Sequence, residues 1–139
     1  MKLEIKNKSS IKSFQDLQVY QRLYGLMLII LKEIVPKLPN EEKFDLKDQT
    51  RRCCKSSPAL IAEGFAKRYQ KRSWRKYLED AIGECNEMIH HLSVCRDIYA
   101  KYLDKQLCQE LINEYDIANK QLYNLQQSWV DFHEGRDRK

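Results

Sequence analysis

Residues 111–132 read LINEYDIANKQLYNLQQSWVDF. In this stretch Leu111, Tyr115, Ala118, Leu122, Leu125, Trp129 and Phe132 alternate spacings of 4 and 3 without a break. A repeat of that period draws an apolar seam along one side of a helix, and such a seam is buried by other helices lying at a shallow angle. The seam therefore predicts a helix starting near Asp104 and a bundle around it.

The rest of the chain supplies the partners. A first helix is expected from Ser13, where SFQD places Asp16 three residues after a serine cap. Tyr20, Tyr24, Met27, Leu31 and Ile34 would form its apolar face, and Pro36 and Pro39 would end it. A second helix is expected from about Asp45 to Arg68. A third, capped by Ser73, would carry the stripe Leu78, Ala81, Cys85, Met88, Leu92, Cys95 and Tyr99. Four glycines and three prolines in 139 residues are too few for a turn-rich β fold. Short connections make consecutive helices antiparallel, so the expected fold is all-α, an up-down-up-down four-helix bundle. Its boundaries are an N-terminal extension (1–12), the bundle (13–132) and a frayed C-terminal tail (133–139).

No apolar segment near the start suits a signal peptide, and the longest apolar run, Leu26 to Leu31, is far too short for a bilayer. A soluble, cytoplasmic protein is expected. The five cysteines are odd in number, with Cys53 and Cys54 adjacent, so reduced thiols packed as small hydrophobes are expected.

One segment resists this plain reading. SSPALIAEGFAKR (56–68) places Pro58 and Gly64 inside the second helix. Proline removes the donor to the carbonyl of Cys54, so a kink or break is expected near Ser56–Ser57, with the serine hydroxyls satisfying freed carbonyls. Glycine costs about 1 kcal/mol against alanine in a helix, which points to a contact too tight for a side chain. Glu63 is open to two readings: an i,i+4 pair with Lys67, or a buried carboxylate at a helix end or subunit contact.

Positive charge follows at once. Lys43 to Lys76 holds eleven Lys/Arg against three Asp/Glu, a balance of +8, so the rest of a +5 chain carries −3. KRYQKRSWRK (67–76) holds Lys67, Arg68, Lys71, Arg72, Arg75 and Lys76, with Tyr69 and Trp74 between them. Upstream, Lys47, Arg51 and Lys55 fall at i, i+4 and i+8 on one helical face, with Arg52 beside them. Clustered cations suit a phosphate backbone, and Tyr69 and Trp74 are candidates to stack on unpaired bases. The plainer alternative is a solvated face with both aromatics packed on the bundle. No recognition-helix motif is visible, so base-specific readout is not expected.

Catalytic and metal motifs fail. Glu87-x-x-His90 occurs once, where a bundle di-iron site needs the pattern on two helices. Glu87, His91 and Cys95 form an i, i+4, i+8 row, but three ligands from one helix make poor tetrahedral geometry. No glycine-rich phosphate loop or nucleophile elbow is present. The expectation is no enzyme, no metal and no cofactor.

FQDLQVYQRLYGL (14–26), EEKFDLKDQTRRCCKSSPALIAEGFAKR (41–68) and YLEDAIGECNEM (77–88), in that order, resemble the bacterial four-helix-bundle family of proteins encoded in intervening sequences of 23S ribosomal RNA genes. That family is itself similar to the accessory variability proteins of diversity-generating retroelements. The resemblance spans about Ile11 to Phe132. It is most specific at Gln49, Arg51, Arg52, Ser56, Pro58, Ala59, Ile61, Ala62, Glu63, Gly64 and Phe65. Asp45, Ser57, Leu60 and Glu84 depart from the usual pattern. The resemblance implies a homopentamer with a basic surface that binds nucleic acid, whether RNA, DNA or a hybrid, and in the retroelement branch a reverse transcriptase partner. It would make Pro58, Glu63, Gly64 and Phe65 structural or oligomer contacts. The expected function is thus a non-catalytic nucleic-acid-binding oligomer. The alternative is a helical scaffold whose basic face docks an acidic protein. A membrane-surface role is weaker, because no apolar face is left over after bundle packing.

Overall fold

The structure, a computed structural model, describes residues 1–137. Four α-helices carry it: α1 (Gln18–Ile29), α2 (Leu46–Ala66), α3 (Ser73–Ile98) and α4 (Lys105–Asp137), and no strand occurs among the described residues. α1 packs on α2 and α4, and α3 packs on the same two, so the four helices form a closed square without close diagonal pairs. Six-residue turns, 67–72 and 99–104, join α2 to α3 and α3 to α4. The all-α bundle expected from the seam is the observed architecture. Of the expected α4 seam, Leu111, Tyr115, Ala118 and Leu122 are fully buried, Leu125 and Trp129 are half-buried and Phe132 is exposed; of the α3 stripe, Leu78, Ala81, Cys85, Met88, Leu92 and Cys95 are fully buried and Tyr99 is half-buried. All five cysteines are free and buried.

The first helix differs from expectation in two ways. Asp16 accepts hydrogen bonds from the N–H groups of Lys12 (2.9 Å) and Ser13 (3.1 Å), and these bonds hold its carboxyl below the usual range. They close only a single 3₁₀ turn, Phe14–Asp16; Leu17 is extended, and α1 starts at Gln18. The buried face is Val19, Leu23, Leu26, Ile30 and Ile34, while Tyr24 is 44% exposed and Tyr20, Met27 and Leu31 are half-buried. Where 26–31 is apolar all round, two adjacent stripes fit the helical period equally well, and only the positions of α2 and α4 choose between them. Before Pro36 the helix widens into a π-type turn, Ile30–Ile34. Arg22 ties α1 to α4 by donating to Glu114 and, at 3.1 Å, to Gln121. The N-terminal extension lies along α1: the Lys6 N–H donates to Gln21 (2.6 Å), and Leu3 covers Gly25.

α2 runs unbroken through Pro58, so the expected break at Ser56–Ser57 is absent. Ser56 Oγ donates to the Arg52 carbonyl at 2.9 Å, one turn earlier. The Ser57 hydroxyl is buried without a hydrogen-bond partner among the described residues. Pro58 itself is buried.

Gly64 is where α2 meets α3. A Cβ there would lie 3.0 Å from Tyr77 Cβ and 3.7 Å from the Trp74 carbonyl oxygen, atoms that move only with their helix. Gly83 has open space around its Cβ position. Gly64→Ala is expected to destabilise by about 1–2 kcal/mol through overpacking, against its own helix-propensity gain. Gly83→Ala is expected to stabilise by about 0.5–1 kcal/mol. Thermal unfolding of the two variants checks this. Equal shifts of the same sign would refute the tight crossing.

α4 passes the expected end of the bundle at 132 and continues to Asp137; residues 138 and 139 of the expected tail lie outside the described ones. Its 33 residues span about 50 Å, against about 31 Å for the 21 residues of α2. The overhang meets the α2–α3 turn, which carries the densest charge.

Candidate nucleic-acid interface

The turn 67–72 follows directly from how α2 ends. Arg68 folds back on the last turn: Nη1 donates to the Phe65 carbonyl at 2.8 Å, and the guanidinium carbon sits 3.7 Å from the Phe65 ring centroid. Its other face lies 4.3 Å from the Tyr69 ring centroid, and Nη2 reaches Tyr69 Oη at 3.2 Å. A cation bonded to terminal carbonyls also complements the negative end of the helix. Arg68 is therefore half-buried and shapes the turn, while Lys71, Arg72, Arg75 and Lys76 stand exposed around it, with Lys67 half-buried.

α3 begins at Ser73, the residue expected to cap it, so Arg72 takes the cap position and no side chain caps the helix. Its first turn contains no acidic residue but does contain Arg75 and Lys76. Cations there add to the positive end of the helix dipole instead of offsetting it. The result is a concentrated positive field at one end of the bundle. A shallow hollow of about 300 Å³ lies against it, lined by Lys71, Arg72, Arg75 and, from α4, His133 and Glu134.

The two aromatics of the cluster separate. Tyr69 is 60% exposed, edge-on to Phe132 of α4 with centroids 6.0 Å apart. Trp74 is only 2% exposed, so it is not a base-stacking surface. It packs edge-on against Trp129 (5.4 Å) and face to face with His133 (5.9 Å, 3°). His133 Nε2 in turn lies 2.8 Å from the Arg68 carbonyl. On α3, Trp74 falls one turn before the core residue Leu78, and that spacing is the signal by which the sequence marks it as interior.

The second basic stripe is a separate patch. Arg51, Arg52 and Lys55 are exposed and Lys47 is half-buried, all toward the N-terminal half of α2. Arg52 is paired with Asp48 at 3.2 Å. From Lys55 to Lys67 the helix advances about 18 Å, and Ala59, Ala62 and Ala66 occupy the intervening face.

Of the four expected structural or oligomer contacts, Pro58, Gly64 and Phe65 are buried within the chain, Phe65 with its ring 6.5 Å from that of Trp129. Glu63 is exposed, so it is not a carboxylate buried within the chain. It lines a groove between α2 and α3 with Glu79, Asp80, Glu84 and Glu87, a strip of negative charge that the sequence spreads over two helices. No helix among the described residues is long and apolar enough to cross a membrane.

A basic end on a square four-helix bundle defines the class of protein. The family model of 23S rRNA-intervening sequence proteins matches residues 15–124, and the chain belongs to that family. A search of curated proteins found no match.

Proposed function

We propose that this chain is a non-catalytic nucleic-acid-binding protein that holds phosphate backbones at the α2–α3 turn and works as a homo-oligomer, a ring of five as the family resemblance implies. The observation that carries this reading is the concentration of positive charge around the start of α3: exposed Arg72, Arg75 and Lys76 beside helical N–H groups that no side chain caps, without an acidic residue in that turn. A phosphate relieves both the repulsion among the cations and the unmet dipole. Exposed Tyr69, steadied by Arg68, supplies one stacking surface for an unpaired base. Repeating the turn around a ring multiplies the phosphate contacts, so a modest patch on each protomer suffices.

Binding of the purified protein to structured RNA, single-stranded DNA and an RNA–DNA hybrid across salt concentrations tests this, with mass by light scattering on the same sample. Each cation that neutralises one phosphate adds about −0.7 to the slope of log K against log [salt] on a single strand, so Arg72, Arg75 and Lys76 alone give about −2, and a multivalent ring a steeper value. A flat slope with weak binding to all three ligands would overturn the proposal and point to an acidic protein partner instead.

A further inference from the structure

The α2–α3 contact brings together side chains that lie 31 or more residues apart in sequence. Cys53 of α2 is buried with its Sγ 3.0 Å from Glu84 Oε2 and 3.2 Å from the Glu84 carbonyl oxygen, both on α3. Glu87, at i+3 from Glu84 and so on the same helical face, completes a group in which Sγ and one oxygen of each carboxylate all lie within 4.8 Å of one another. An independent feature points at the same group. His91 is only 5% exposed, its Nε2 makes no hydrogen bond, and that nitrogen sits 3.4 Å from Glu87 Oε2, close but not aligned. A buried imidazole aimed at a carboxylate beside a buried thiol is costly to leave idle.

We propose that Cys53, Glu84 and Glu87 form a binding site for a divalent transition-metal ion of the zinc type, with His91 positioning Glu87 from behind. The donor set is one thiolate and two carboxylates, which suits zinc or cobalt and not magnesium or calcium, which take oxygen ligands alone. Ligand atoms on a tetrahedral zinc are about 3.5 Å apart, so the three donors close onto an ion by side-chain motion alone. His91 Nε2–H donating to the ligating Glu87 is the outer partner that metal carboxylates commonly have. The fourth position faces a solvent-open groove of about 480 Å³ that Gln49, Arg52 and Ser56 also line, which provides an entry path. Glu63, Glu79 and Asp80 line an adjoining hollow that shares Ser56, Glu84 and Glu87 with this groove, and their charge draws cations toward it. Binding replaces the Cys53 thiol proton by the ion, so one proton is released for each ion bound.

The single-helix row Glu87, His91, Cys95 is not this site. Cys95 is a core residue, and the thiol that joins the carboxylates comes from α2.

Titration of the reduced, metal-free protein with Co²⁺ tests the site without reference to nucleic acid. One Co²⁺ per chain is expected, with a thiolate-to-cobalt charge-transfer band that Zn²⁺ abolishes by displacement. Cys53→Ser and Glu84→Gln are expected to lose the band, and Cys108→Ser to keep it. His91→Gln is expected to weaken binding by about 10–100-fold while the band survives at saturation. Glu84→Gln and Glu87→Gln change exposed or half-buried groups, so circular dichroism on them separates loss of metal from loss of fold. No band in the wild-type protein, or a band that persists in both Cys53→Ser and Glu84→Gln, overturns the site. Because nucleic-acid affinity is not the readout, that failure leaves the function proposed for the α2–α3 turn standing.

Discussion

Trp74→Ala is expected to lower the unfolding free energy by about 3–5 kcal/mol, while Tyr69→Ala, five residues earlier in the same basic run, is expected to change it by less than about 1 kcal/mol. The contrast follows from where the two rings go. Trp74 is 2% exposed and packs against Trp129 and His133, so its removal leaves a cavity between α3 and α4. A loss of that size is a large share of the roughly 5–15 kcal/mol that holds a domain together. Tyr69 stands in solvent against Arg68 and Phe132. Its loss is expected instead to cost single-strand affinity, about 1–3 kcal/mol for one stacked base, or roughly 5- to 150-fold. Chemical denaturation and strand binding on the same pair of variants decide the matter. A stable Trp74→Ala protein would refute the buried assignment, and unchanged binding by Tyr69→Ala would remove base stacking from the proposed function.

The second large effect is electrostatic. Changing Arg51, Arg52, Arg72 and Arg75 together to glutamine is expected to weaken nucleic-acid binding roughly 10- to 100-fold at moderate salt, and to flatten the salt slope by about 3 to 4. Melting temperature is expected to stay within a few degrees. All four side chains are exposed, and the ion pair of Arg52 with Asp48 is a surface pair of small worth. Splitting the set is informative because the patches are about 18 Å apart along α2. If Arg72 and Arg75 alone reproduce most of the loss, the turn is the primary contact and the stripe on α2 is secondary. Wild-type affinity in the fourfold variant would exclude both surfaces.

Much of this architecture is legible in residue spacing. The α4 seam and the α3 stripe hold their period over several turns, and helices of that length are buried along the face the period names. The capping pattern at Ser13–Asp16 was equally visible, yet it closed a single turn only, because local hydrogen bonds do not decide whether the chain continues helical at Leu17. In α1 the apolar run at 26–31 offered two faces of nearly equal merit, and packing selected the one through Leu23, Leu26 and Ile30. Pro58 argued for a kink or a break, and the break does not occur: the helix continues through one missing hydrogen bond with the proline buried.

The candidate sites divide in the same way. The charge of the basic run is a property of composition, and no folding event removes it. Which of its members reach solvent is only partly so: the four-residue step to Leu78 puts Trp74 on the buried stripe of α3, whereas nothing local places Tyr69, which lies 60% exposed beside Phe132 of α4. The Cys53, Glu84 and Glu87 group has no sequence spacing at all, because its thiol and carboxylates meet across two antiparallel helices. What this chain's sequence determined by itself was the helical period, the class of fold and the sign of the charge at the α2–α3 turn, all of which follow from contacts within a few residues. What only the tertiary structure decided was which face of α1 is interior, which aromatic is available and which donors converge, since each of those depends on a neighbour that is close in space and distant along the chain.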